Sequence, residues 1–334
     1  MSILVPGRWI AASRWSDRFD LRPVLEQLGG PDAFLNAPLC DLKATGLTDA
    51  ALRALQTTPD VCSPFPWRHV GAADYPAALL DLKCPPPVIW LQGNARRLSE
   101  PGVAVVGARS CTAYGRRISR HIAGAVSRAG GVVVSGAARG IDASAHYGSR
   151  EGRTIAVLGG GLSASASATA RSLRTELLDS GGLLLSELPP TDPPTRWTFP
   201  RRNRIIAALA RACVVVEAGE KSGALITARQ AVDIGRRLFA VPGPMDAPAS
   251  VGPLRLIAAG ATCLNTLTPL LALLQDAVPD TPTARLRRAL RSPGSAAELA
   301  RRAGLSLPGT MSALVMLELT HEIRRLPDQR YALR

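Results

Sequence analysis

At 334 residues the chain exceeds a single small core, and the usual domain size of roughly 100–200 residues divides it into two or three. Its formal net charge of +14 favours polyanionic partners over acidic metabolites, and arginine carries nearly all of it, with only Lys43, Lys83 and Lys221 as lysines. Six cysteines without a CxxC pair, a start without a leader's layout, four dispersed histidines and no apolar stretch near the roughly 18–20 residues of a membrane span argue against a disulfide framework, a secretory signal, a metal or cofactor site and membrane insertion. They predict a reduced cytoplasmic protein.

Residues 1–65 predict short helices broken by Gly and Pro, with apolar repeats over Leu21–Leu28 and Leu42–Leu55, as a small helical domain. Asp41–Gln56, with Gly46 between two helical pieces, suits a SAM-like or helix-hairpin-helix-like module whose backbone amides meet a phosphate, or else a cap that only packs. Over 66–275 apolar strand runs alternate with helical segments. Strands are expected at Val103–Val106, Val132–Ser135, Thr154–Leu158, Leu183–Ser186, Cys213–Val216 and Leu238–Val241. That pattern is an α/β fold: an extended Rossmann-like, doubly wound, mostly parallel sheet, with glycine-containing turns along its carboxyl edge, where such folds bind ligands.

A linker is expected at 276–284. In 285–334, Ser295–Ala300 opens one helix, Gly304-Leu-Ser306 makes a turn, and Leu307–Arg324 supplies a second helix. The tail then reads as two short strands about Pro327-Asp-Gln329, giving a C-terminal winged-helix domain. Base-reading side chains are scarce at Pro308, Gly309 and Thr310, which favours protein contact or structure over sequence-specific DNA reading.

Four turns and one helix start carry the chemistry. Gly107-Ala-Arg109-Ser110 follows the first strand, where helix-start amides and an arginine bind anions. The second strand ends in Ser135-Gly136-Ala-Ala-Arg139-Gly140-Ile-Asp142; neither a G-x-G-x-x-G turn nor a ribose-binding acid is present, so a dinucleotide enzyme loses its support. Gly159-Gly-Gly161 permits close backbone approach, or simply releases a tight connection. After the fifth strand, Lys221, Ser222 and Gly223 start a helix containing Thr227 and offer a phosphate cradle, Ser222 serving equally as an N-cap. Phe199-Pro-Arg201-Arg202-Asn203 sets an aromatic beside three guanidinium groups (with Arg204) where an apolar helix begins, a combination that suits a stacked base and its phosphates. Asp142, Glu187 and Glu217 are the carboxylates nearest strand ends; no nucleophile elbow, Walker loop or triad appears.

In this order the motifs, together with Ala156–Gly159, Ser186-Glu187, Ser222–Ala228 and Ala240–Gly243, resemble the DprA/Smf family of DNA-processing proteins over about 70–267, with Asp74-Tyr75-Pro76 and Pro85–Gly93 as the lead-in. The resemblance implies a non-enzymatic, homodimeric protein that binds single-stranded DNA without sequence preference. It would protect incoming strands and load the RecA recombinase in natural transformation, with single-strand-binding protein as a further partner. By matching positions, Arg109 would contact phosphate, Arg139, Arg201 and Arg202 would line a positive pocket, and Phe199 would stack a base. Ser135, Gly136, Ser222 and Gly223 would present amides, and Gly107, Gly140, Asn203, Lys221 and Thr227 complete the expected DNA-binding set. The chain departs from the family's pattern in the Ala/Ser-rich 162–170, where the family carries Tyr-Pro and Asn, and at Leu254, where it carries Asn. Two alternatives remain: a nucleotide-binding or nucleotide-cleaving Rossmann enzyme using Glu217 or Glu187, and a DNA-reading regulator driven by 285–334.

Overall fold

The computed structural model describes residues 3–15, 19–149, 151–275, 285–286, 289–290, 292–319 and 323–333. The chain divides into two compact units, 1–275 and 276–334. The linker expected at 276–284 lies outside the described residues.

The larger unit opens with β1 (Ile3–Val5), α1 (Gly7–Ser13), α2 (Arg22–Leu28), α3 (Pro31–Asn36), α4 (Leu39–Ala44), α5 (Asp49–Thr57) and β2 (Val61–Ser63). Proline sits at the start of α2 and of α3, where its fixed φ suits a first turn, and Gly29 ends α2 at φ +93°. β1 pairs antiparallel with β2, so this region is not wholly helical. Nor does it have a core of its own. Trp9 stacks on His69 at 4.7 Å between ring centroids, and Trp9, Phe34 and Leu42 belong to the same buried cluster as Ile89 and Trp90 of the sheet.

That sheet contains β3 (Trp67–His69), β4 (Val88–Gly93), β5 (Gly102–Val106), β6 (Val132–Ser135), β7 (Thr154–Val157), β8 (Leu183–Ser186), β9 (Ala212–Val215), β10 (Arg237–Ala240) and β11 (Thr262–Cys263). Its order is β11-β10-β9-β5-β6-β7-β8-β4-β3, parallel from β11 to β8, with β4 antiparallel to both β8 and β3. The sheet thus has nine strands where six were expected. The additions lie at the two edges: β11 is only two residues long, β3 forms the other margin, and β4 is the segment read as a lead-in, buried from Val88 to Leu91 in the cluster that includes Trp9 and Phe34.

The helices are α6 (Ala113–Arg128), α7 (Ile141–Gly148), α8 (Ala168–Asp179), α9 (Thr198–Ala208), α10 (Gly223–Asp233), α11 (Val251–Ala258) and α12 (Thr268–Gln275). Their placement explains why β5 is apolar at every position. Val103 and Val105 face one core with Ile122 of α6, Ile141 of α7 and Leu270 of α12, while Ala104 and Val106 face another with Leu173 of α8 and Ile205 of α9. The connections from β5 run through β6, β7 and β8 in one direction, then cross back to β9 on the other side of β5. This reversal leaves a crevice at the carboxyl ends of β5 and β9.

In the smaller unit, Ser295 caps the helix Ala296–Ala303 in a reciprocal capping box with Glu298, and Gly304 ends it at φ +62°. The next helix, Leu307–Leu319, stops short of the expected Arg324, which lies in the strand Ile323–Arg325 paired antiparallel with Tyr331–Leu333. Leu286, Leu290, Leu299, Leu314 and Ile323 form its core. Among the described residues no helix is long and apolar enough to cross a membrane.

Candidate nucleic-acid interface

The crevice is a cleft of about 580 Å³ whose walls come from three turns and the start of α9. Backbone hydrogen bonds join the turns: Ala108 N–H donates to Glu217 O at 2.7 Å, and Ile141 N–H donates to Ala108 O at 3.2 Å. Such close approach requires glycine. A Cβ on Gly107 would stand 2.6 Å from Ile141 Cγ1, and one on Gly140, at φ +84°, would stand 2.2 Å from Ala108 O.

Two cation–aromatic pairs accompany this cleft. Arg109 is exposed, with Cζ 5.2 Å from the Phe199 ring centroid, and both residues line the cleft. Phe199 lies against Gly159, where a Cβ would come within 2.8 Å of its Cδ1, so the first glycine of the triple run serves this ring. Arg196 also lines the cleft, and its Cζ sits 4.5 Å from the ring of Trp197, which is 69% exposed. Neither Arg196 nor Trp197 entered the sequence reading. The available signal was an Arg-Trp dipeptide in a Pro/Thr-rich stretch just ahead of Phe199, too short and polar to be core.

Beneath the cleft lies a buried polar layer. Arg202, 4% exposed, donates from Nη1 to Val157 O and from Nε to Asn203 Oδ1 at 3.0 Å, and Asn203 Nδ2 donates to Gly223 O at 3.3 Å. Burial pushes the Arg202 guanidinium down to about 10, opposed by the charge of Asp142 and aided by that of Arg109. Burial likewise pushes the Asp142 carboxyl above its usual range, against the pull of Arg202 and of the backbone N–H groups of Ala138, Gly136 and Gly107. His146 completes the layer. Its Nε2 accepts from Ala137 N–H at 3.3 Å, so Nδ1 carries the proton and donates to Thr154 Oγ1 at 2.6 Å, and Thr154 donates on to Val133 O. Burial, with Arg202 close by, holds the imidazole down at about 3. The histidine thus fixes Ala137, which adopts φ +51°.

The structure brings together part of the expected set. Gly107, Arg109, Phe199, Asn203, Ser222, Gly223 and Thr227 line the cleft. Ser222 caps α10 by accepting from Ala224 N–H at 3.3 Å, and a Cβ on Gly223 would meet nothing within 4 Å, so the start of α10 is open. Arg139 and Lys221 are exposed on the turns flanking the cleft without lining it.

Four expected residues sit elsewhere. Arg202 is the floor just described, not a wall. Arg201 turns away from the cleft: Nη2 donates to Ser13 O at 2.5 Å and Nε pairs with Glu187 Oε1 at 3.2 Å, because α9 packs there against the end of α1. Ser135 spends its hydroxyl on Val105 O at 2.7 Å, across the sheet. Gly136 N–H donates to Asp142 Oδ2 at 3.2 Å, and a Cβ there would collide with the Arg202 guanidinium, so this amide faces the buried layer.

The carboxylates are similarly engaged. Glu187, 2% exposed, is paired with Arg201 and Arg204. Glu217 accepts from Thr112 N–H at 2.9 Å and from the Thr112 hydroxyl, clamping the cap of α6 to the turn after β9. Asp142 is the one carboxylate lining the cleft among the described residues, and its bonds are to the backbone beneath. Of the two departures, neither 162–170 nor Leu254 lines the cleft.

Fold and cleft define a doubly wound α/β protein whose switch-point crevice combines arginine–aromatic stacks with open helix-start amides. Residues 68–275 match the family model described as DNA recombination-mediator protein A, and the chain belongs to that family. It is 36% identical over 317 residues to Protein Smf of Escherichia coli (strain K12), a match spanning 86% of this chain and 85% of that one. It is 40% identical over 198 residues to the DNA processing protein DprA of Bacillus subtilis (strain 168), covering 58% of this chain and 66% of the relative. Among solved structures, DprA from Streptococcus pneumoniae superimposes with a TM-score of 0.69 at 29% identity, over 79% of this chain and 95% of the other. A Helicobacter pylori DNA processing protein A, solved to explain its single-stranded DNA binding mode, superimposes with a TM-score of 0.58 at 28% identity, over 64% and 98%.

Proposed function

We propose that this chain binds single-stranded DNA without sequence preference in the switch-point cleft, as a recombination mediator. The observation that carries the reading is the Arg109–Phe199 cation–aromatic pair lining the same cleft as the open start of α10. A guanidinium plane on an aromatic ring offers a base a flat, sequence-tolerant surface, while its N–H groups and the helix-start amides take phosphate. The single-strand binding of the Helicobacter pylori relative supports the same reading.

In this reading the protein protects incoming strands, hands them to the RecA recombinase alongside single-strand-binding protein, works as a homodimer in the cytoplasm, and performs no catalysis. Residues 285–334 form a winged-helix module that serves contact rather than base reading. The competing enzyme reading would need a free general base, whereas Glu187 and Glu217 are both engaged within the fold.

Fluorescence anisotropy with an oligothymidine strand and with a duplex of equal length, across a salt series, tests the proposal. Strong single-strand preference is expected. Arg109→Ala should lower the slope of log K against log salt by roughly 0.7, one phosphate contact on a single strand. Equal binding of both forms, or an unchanged slope, would count against it.

A further inference from the structure

The outer face of α6, with the end of α7, carries a second cluster of arginines and aromatic rings that the cleft does not use. Arg116, Arg117 and Arg120 are all exposed there, with His121 beside them. Arg117 Cζ lies 5.6 Å from the ring centroid of Tyr114, and Arg120 Cζ lies 6.0 Å from that of Tyr147 on α7. Gly148 permits the second pair, since its missing Cβ would stand 2.5 Å from Arg120 Cα and hold the helices apart.

The charge on this face is uncompensated. Several arginines elsewhere sit beside carboxylates, among them Arg68 with Asp74 at 2.9 Å, Arg97 with Glu100 at 2.8 Å and Arg255 with Glu220 at 2.7 Å. Among the described residues Arg116, Arg117 and Arg120 have no such ion pair, and α6 contains neither Asp nor Glu. Arg116 and Arg120 repel each other at i,i+4, as do Arg117 and Arg120 at i,i+3. Arg116 and Arg117 also follow directly on the first turn, the end at which a helix dipole favours anions. A solvated helix gains nothing from this arrangement; a polyanion laid along it relieves every one of these repulsions.

The face begins at the carboxyl edge of the sheet that holds the cleft. Arg109 stands four residues before α6, and Tyr114 donates its hydroxyl to Pro242 O at 3.3 Å, at the same carboxyl edge of the sheet. We propose that this arginine–tyrosine face is a second contact surface for single-stranded DNA, receiving the strand where it leaves the cleft past Arg109. The inference rests on the single-strand reading given above and extends it from a pocket to a path. Tyr114 and Tyr147 supply stacking surfaces, and the three arginines follow the phosphates.

The experiment compares the wild-type chain, the triple variant Arg116→Ala/Arg117→Ala/Arg120→Ala, the double variant Tyr114→Ala/Tyr147→Ala and Arg109→Ala, each verified by circular dichroism to keep its helix content. Binding is read by anisotropy on oligothymidines of roughly 5 and 25 nucleotides, bracketing the site sizes of single-strand binders. The triple variant should bind the short strand as wild type does, while on the long strand its salt slope falls by about 2. The tyrosine variant, which removes two rings, should weaken the long strand by roughly 30-fold or more with little change in slope. An unchanged long-strand slope in the triple variant, while Arg109→Ala lowers it, overturns the path and leaves the pocket standing. A slope lowered by the triple variant but not by Arg109→Ala removes the pocket and overturns the path with it, leaving α6 as a separate site. Loss confined to a duplex of equal length overturns the inference, and a wild-type chain that binds no single strand removes both.

Discussion

Arg202 separates two readings of the same arginine cluster, because sequence makes it a pocket cation and the structure makes it a buried strut. Arg202→Met keeps length and apolar bulk but removes the bonds to Val157 O and to Asn203 Oδ1, and it takes the counter-charge away from buried Asp142. Hydrogen bonds to a charged group contribute about 1.5–3 kcal/mol each, so losing these two should cost the larger unit about 3–6 kcal/mol. Asn203 then loses the neighbour that orients it toward Gly223 O, so affinity falls through a disordered wall and not through a missing phosphate contact. Urea denaturation followed by tryptophan fluorescence measures the first effect, and the salt dependence of oligothymidine binding measures the second. The expected pair is a lower midpoint with an unchanged salt slope. A variant with the wild-type midpoint and a slope reduced by about 0.7 would refute the strut and return Arg202 to the phosphate path.

Trp197, the exposed tryptophan at the rim, should show fluorescence quenching when a strand binds, and Trp197→Ala should weaken binding by about 1–3 kcal/mol without moving the denaturation midpoint; unquenched emission would exclude it from the interface. The His146 imidazole is held at about 3 in the fold against an ordinary value of 6.5, so the unfolded chain takes up a proton first as pH falls. Its contribution is complete above pH 6.5 and is lost down to about 3, so about 2 kcal/mol should disappear between pH 7 and pH 5. His146→Gln should flatten that dependence relative to wild type, and parallel curves would contradict the assignment. Gly140→Ala places a Cβ 2.2 Å from Ala108 O at positive φ and should destabilise the turn by about 1–3 kcal/mol; thermal melts matching wild type would show that the turn relaxes.

The central fold was legible because its signals are local. β5, β6 and β8 read as uninterrupted apolar runs since helices cover both faces, and each break at Gly, Ser or Pro marked a turn. The edges were less legible. β11 is two residues long, and β4 is apolar but begins after three prolines, a composition that reads as a loop. At the cleft, residue types identified Arg109 and Phe199, yet the same types misplaced Arg201 and Arg202, because adjacent positions on a helix point about 100° apart and only packing decides which one meets water.

By itself, then, the sequence determined the alternation of strands and helices, the glycines where backbones approach, and a basic, aromatic helix start, all properties of neighbours in the chain. Tertiary structure alone decided which cations reach solvent. The reversal of strand order beside β5 creates the crevice and brings Arg109, Arg196, Phe199 and the start of α10 to it from separate connections. It also commits Glu187 to Arg201 and Arg204, and Glu217 to Thr112, pairings between residues up to 105 positions apart. Burial converts such groups from chemical candidates into structural ones, and burial depends on the whole chain.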